Sequence, residues 1–100
     1  MKKFLLLNQD GEPICDLEYG KFAASILELG MGGNYFVVHV VTMTDGKSYS
    51  VALYRSASEA AKAVDKLNDF ALKVNKANQA LAFPVPEEPI SPIEIIDVLT

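Results

Sequence analysis

Between Asn34 and Tyr54 stand a nearly all-apolar run, an Asp45-Gly46 pair and a second, alternating run. Asp-Gly flanked by β-branched and aromatic residues is the strongest local hairpin signal, because a two-residue type I′ loop needs positive φ at both central positions. Such a loop sets a register that opposes Met43 to Ser48, Thr42 to Tyr49, Val41 to Ser50, Val40 to Val51, His39 to Ala52 and Val38 to Leu53. Directly opposed residues share a face. One face then carries Phe36, Val38, Val40, Thr42, Tyr49, Val51 and Leu53, which suits a core. The other carries Tyr35, Val37, His39, Val41 and Met43 against Ser48, Ser50, Ala52 and Tyr54, and is too apolar to be left to water. A strand apolar on both sides is expected to be covered on both sides.

The rest of the chain is organised around this hairpin. Lys3 to Asn8 reads as a strand, and Asp10-Gly11 is a turn that returns the chain through Pro13 into a short Ile14 to Leu17 segment. Phe22 to Leu29 is ambiguous, since Phe22, Ile26 and Leu29 have helical spacing over only eight residues before Gly30. Gly30 to Asn34 is a Gly-rich link. Its Gly30-x-Gly32-Gly33 pattern fits a hairpin loop better than a phosphate cradle, which would lead into a helix N-terminus.

Ser56-Ala57-Ser58-Glu59 has the capping-box form, so a helix is expected to begin at Ala57. Its apolar stripe runs through Ala60, Ala63, Leu67, Phe70, Val74, Ala77 and Leu81, and Pro84 ends it near Ala82. Four prolines then fall between Pro84 and Pro92, making a stiff spacer before the apolar-acidic segment Ile93 to Leu99. Ser91-Pro92-Ile93-Glu94 is a second capping box, whereas Ile93, Ile95, Ile96 and Val98 favour a strand. The segment is expected to dock, on its own domain or on a protein partner.

One hundred residues, half of them hydrophobic, suffice for one core. We expect an α+β domain over residues 1–83, with an antiparallel sheet of about four or five strands packed on one long C-terminal helix, and a Pro-rich tail over residues 84–100. A net charge of −4 with scattered Lys and Arg disfavours a nucleic-acid surface. The lone Cys15 cannot close an intramolecular disulfide, and no apolar run is long enough for a signal-peptide core or a membrane span. A cytoplasmic location without membrane attachment is the expectation.

Leu7-Asn8-Gln9-Asp10-Gly11, Asp16-Leu17-Glu18-Tyr19, Ile26 to Leu29, and Leu53-Tyr54-Arg55-Ser56 with Glu59-Ala60 form a recurring pattern. It resembles small, mostly uncharacterised proteins of Firmicutes and their phages, over about Phe4 to Phe70. The resemblance implies that Phe22 to Leu29 is a strand, and it suggests a phage or prophage setting. It carries over no catalytic residue.

His39 is the only histidine, so any triad or metal site would have to use it. With Ser50, Tyr54 and Tyr35 it is the candidate ligand pocket; hydrogen bonding within an interface is the plainer reading. Cys15 reads as an inert thiol and Glu87-Glu88 as a solvated turn. We expect no catalytic residue, metal or cofactor, and no enzyme. The leading expectation is a homodimer or larger homo-oligomer, whose interface would use Val37, Val41 and Met43 on the second hairpin face and Val74, Ala77 and Leu81 on a helix overhanging its sheet. The alternatives are a small-ligand or nucleotide-binding protein using the His39 pocket, and an adaptor or inhibitor acting on a host protein through Ile93 to Leu99.

Overall fold

A computed structural model describes residues 3–30, 35–76 and 78–99. The elements are β1 (Lys3–Leu7), β2 (Pro13–Glu18), β3 (Phe22–Leu29), β4 (Tyr35–Thr42), β5 (Ser48–Tyr54), α1 (Ala57–Lys73), β6 (Ala80–Ala82) and α2 (Pro92–Leu99). The class is α+β, but the strands form two sheets instead of one: β2-β1-β6 and β3-β4-β5. Two local features divide them. Between β2 and β3 the chain turns through Gly20 at a φ of 79°, and the free side of β1 is taken by β6, which pairs in parallel with Leu5 against Ala80 and Leu6 against Leu81.

That pairing corrects the expected helix. α1 stops at Lys73, where Val74 turns to an extended ψ of 123°. Beyond it the Gln79 side chain accepts the N–H groups of Asn75 and Lys76, and Asn78 adopts a positive φ of 64°. The three- and four-residue spacing that runs on through Leu81 is thus shared between a helix and a strand. Leu81 and Val74 belong to the core and its margin, so no apolar helix end overhangs the sheet; Ala77 lies outside the described residues. At 17 residues α1 is about 26 Å long, close to the length of the eight-residue strands β3 and β4 beneath it.

The organising hairpin is present with a different loop. Thr42 N–H donates to Lys47 O and Gly46 N–H to Thr42 O, both at 2.9 Å, so residues 43–46 form the connection. Only Gly46, at 71°, has the positive φ that a type I′ loop needs at both positions. Asp45 is held otherwise, with its carboxylate accepting the Thr42 hydroxyl and the Lys47 N–H. The register becomes Val41 to Ser48, Val40 to Tyr49 and His39 to Ser50. A bulge at Val51 then shifts it to Val38 against Ala52, Val37 against Leu53 and Phe36 against Tyr54. An extra residue reverses the faces beyond it. Tyr54 accordingly joins the core, and Leu53, expected under the helix, turns to the opposite face with Val37.

One core joins both sheets and α1: Phe4, Leu6, Leu17 and Leu81 meet Val38, Val40, Val51, Ala60, Ala63 and Leu67. Phe4 is the joint. Its ring lies edge-on to Phe70 of α1 at 5.2 Å and to Phe22 of β3 at 6.3 Å. Ser56 caps α1 as its sequence indicates, accepting the Glu59 N–H at 3.2 Å from an extended backbone. Ser56→Ala is expected to lower stability by about 1 kcal/mol; an unchanged urea midpoint would mean that the cap contributes nothing.

Candidate functional site

The β1–β2 turn and the step from β5 into α1 converge on one place, the path of the tail. Asn8 folds the β1–β2 turn upon itself: its Oδ1 accepts the N–H groups of Asp10 and Glu12 at 2.9 and 3.0 Å, and Gly11 supplies the positive φ. This turn pushes Gln9 outward against β5. There its Oε1 accepts the Leu53 N–H at 3.0 Å, and its Nε2 donates to Leu53 O and Pro84 O, each at 3.2 Å. One amide thus satisfies both outward backbone groups of Leu53, as a neighbouring strand would, and ties them to the start of the tail.

The step from β5 into α1 holds the same tail at three further points. The Tyr54 hydroxyl donates to Pro84 O at 2.5 Å, and burial pushes this phenol up to about 12, so it remains a donor throughout the physiological range. Glu59 receives the Ser56 hydroxyl on Oε1 and the Glu87 N–H on Oε2. Arg55 reaches Glu94 at 2.7 Å while its guanidinium stands 5.5 Å from the Tyr35 ring centre, and the Tyr35 hydroxyl donates to the other Glu94 oxygen at 2.8 Å.

The ambiguous tail end is helical. Ser91 accepts the Glu94 N–H, and Glu94 returns to the Ser91 N–H at 3.0 Å, a closed capping box with Pro92 in the first turn. α2 lies over the face of the β3-β4-β5 sheet that is turned away from α1, with Ile95 lining a groove shared with Gln9, Leu53, Val85 and Ile90. The tail therefore docks on its own domain and supplies the second cover that the hairpin demands: Val37 and Leu53 are 1% and 2% exposed. No feature of the sequence singles out Gln9 or Arg55 for this role, although an Arg beside the hairpin and a Glu in the tail are a complementary pair.

Glu94 is the electrostatic centre of the contact. The Ser91 N–H, the Tyr35 hydroxyl and Arg55 together hold its carboxyl well below the ordinary 4.5, at about 2. A lowered folded-state value adds stability that is complete above about 4.5 and is lost as the pH falls toward 2. Acid should therefore loosen α2 first. Glu94→Gln is expected to flatten the acid limb of the stability profile over that window, and an identical limb in the variant would assign the loss to other carboxylates.

The four-residue pocket expected around His39 is not assembled. His39 and Ser50 are cross-strand neighbours with Nδ1 and Oγ 3.4 Å apart, but Tyr54 points into the core and Tyr35 is engaged by Glu94. The bulge at Val51 is what turns Tyr54 to the other face. Cys15, in β2 opposite Leu6, has its thiol pushed up by burial and by Asp16 and Asp45, against the character of a nucleophile. Of the expected interface residues on the second face, Val37 is buried, Val41 is half-buried and Met43 is exposed in the loop. In the Gly-rich link only Gly30 falls within the described residues. Among the described residues no His, Cys, Asp or Glu cluster suited to a metal ion occurs, and no helix is long and apolar enough to cross a membrane.

Compared with known proteins, the chain matches no family model, and neither a curated protein nor a solved structure shows significant similarity to it.

Proposed function

We propose that the protein is a non-enzymatic, homo-oligomeric interaction protein, and that it acts in a phage or prophage setting, a reading that rests on its resemblance to small Firmicutes and phage proteins. The observation that carries this reading is the apolar surface that remains once the tail has docked. Leu27 and Ile26 on β3, Met43 in the hairpin loop, and Ile93 and Ile96 on α2 stay exposed. Ile93 and Ile96, three residues apart, share one side of α2, and large apolar side chains grouped in this way on a folded surface mark an interaction site. Sedimentation of the full chain at micromolar concentration is expected to give a dimer or larger assembly; a monomer would overturn the oligomeric reading.

A second reading has its own support. Ile93 and Ile96 expose their side chains on the outer side of α2, where a host protein could meet them, while Glu94 and Ile95 hold the inner side. In this adaptor reading Ile93→Asp with Ile96→Asp abolishes capture of that protein in a pull-down and leaves the assembly state unchanged.

A further inference from the structure

We propose that two copies join through β3, edge to edge and antiparallel, so that their three-stranded sheets become one continuous sheet across a two-fold axis. This deepens the homo-oligomeric reading and rests on it.

β3 is the unguarded edge of the fold. The other sheet ends in β6, of three residues, and in β2, which begins with Pro13 and carries Asp16 and Glu18. The far side of β5 is occupied at Leu53 by Gln9. β3 has eight residues, Phe22-Ala23-Ala24-Ser25-Ile26-Leu27-Glu28-Leu29, with one charge, no proline and no break in its pairing with β4. Soluble proteins ordinarily protect such edges with Lys, Pro or bulges. Here Ile26 and Leu27, on opposite faces at the middle of the strand, are 37% and 45% exposed.

The direction of the free backbone groups follows from the ladder. Met43 N–H donates to Lys21 O, so Lys21 turns its C=O, and the odd-numbered residues after it their N–H and C=O groups, toward β4. Those of Phe22, Ala24, Ile26 and Glu28 then point away from it. Among the described residues no hydrogen bond reaches them.

The strand complements itself. An antiparallel pair centred on Ser25 sets Ala24 against the partner's Ile26 and Ala23 against the partner's Leu27. Small residues thus meet large ones on both faces, and Glu28 meets Phe22 rather than its own copy. In this register Ala24 and Ile26 exchange hydrogen bonds with their counterparts, and the two Ser25 residues form a non-hydrogen-bonded pair, with Cα atoms about 4.5 Å apart. A second copy of this chain is therefore the occupant that fits without a further partner.

Sedimentation of the full chain is combined with three changes. Ile26→Lys places a charge on the edge, and Ala24→Pro removes an outward N–H without touching the β4 ladder. Each is expected to weaken self-association by about tenfold or more and to leave the circular dichroism unchanged. Ser25→Cys, made with Cys15→Ser, is expected to form an intermolecular disulfide on mild oxidation, since the proposed spacing suits that bond. If Ile26→Lys or Ala24→Pro fails to fold, the crosslink decides. An oligomer indifferent to both edge changes, with no Ser25→Cys crosslink, would overturn the β3 pairing and leave the homo-oligomeric reading standing. A monomeric parent chain would overturn both.

Discussion

Removal of residues 84–100 is expected to lower the unfolding free energy by about 3–6 kcal/mol, because Val37 and Leu53 would lose their cover and each buried aliphatic side chain contributes about 1.5–3 kcal/mol. Both are almost completely buried, and both lie on the face of the β3-β4-β5 sheet turned away from α1. The cut also takes the Pro84 carbonyl from Gln9 and Tyr54. Domains of this size have stabilities of about 5–15 kcal/mol, so the loss is a large share. A much lower urea midpoint is the expected result. An unchanged midpoint would mean that the tail covers nothing.

Leu6→Ala is the second large effect, at about 2–5 kcal/mol. Leu6 has no exposed surface; it stands in the middle strand of its sheet, opposite Cys15 on one side and Leu81 on the other. Because its cluster includes Val38 and Val40 of the other sheet and Leu67 of α1, the substitution is expected to destabilise everything at once. Far-ultraviolet dichroism and tyrosine fluorescence should shift together to one lower midpoint. Separate transitions would show two independent units and contradict the single core.

The local signals in the chain are those that depend on neighbours in sequence. Ser56 and Ser91 each begin a helix where their capping boxes stand, and the hairpin follows its β-branched runs. Phe22 to Leu29 is a strand, although its spacing alone allows a helix and only the resemblance chooses between them. What sequence periodicity conceals is tertiary. Leu81 continues the helical stripe by coincidence of spacing, while the turn at Asn78 and the open side of β1 recruit it into a strand. The bulge at Val51 exchanges the faces of Leu53 and Tyr54 and so takes Tyr54 out of the His39 pocket. The demand for a second cover over the hairpin was legible in Val37 and its neighbours; the identity of the cover, and the use of Gln9, Arg55 and Glu59 to hold it, required the fold.

The central claim is that the tail is a cis-docked layer of the domain, held by Gln9, Tyr35, Tyr54, Arg55 and Glu59. Amide hydrogen exchange of the full chain at neutral pH tests it most directly, read at Leu53 and along Ile95 to Val98, at high and low protein concentration. The account predicts protection at both places that dilution does not change, and that Arg55→Ala reduces over α2 while β1 and β4 stay protected. Exchange of the α2 amides at unfolded-chain rates in the intact protein, or protection that disappears on dilution, would contradict it.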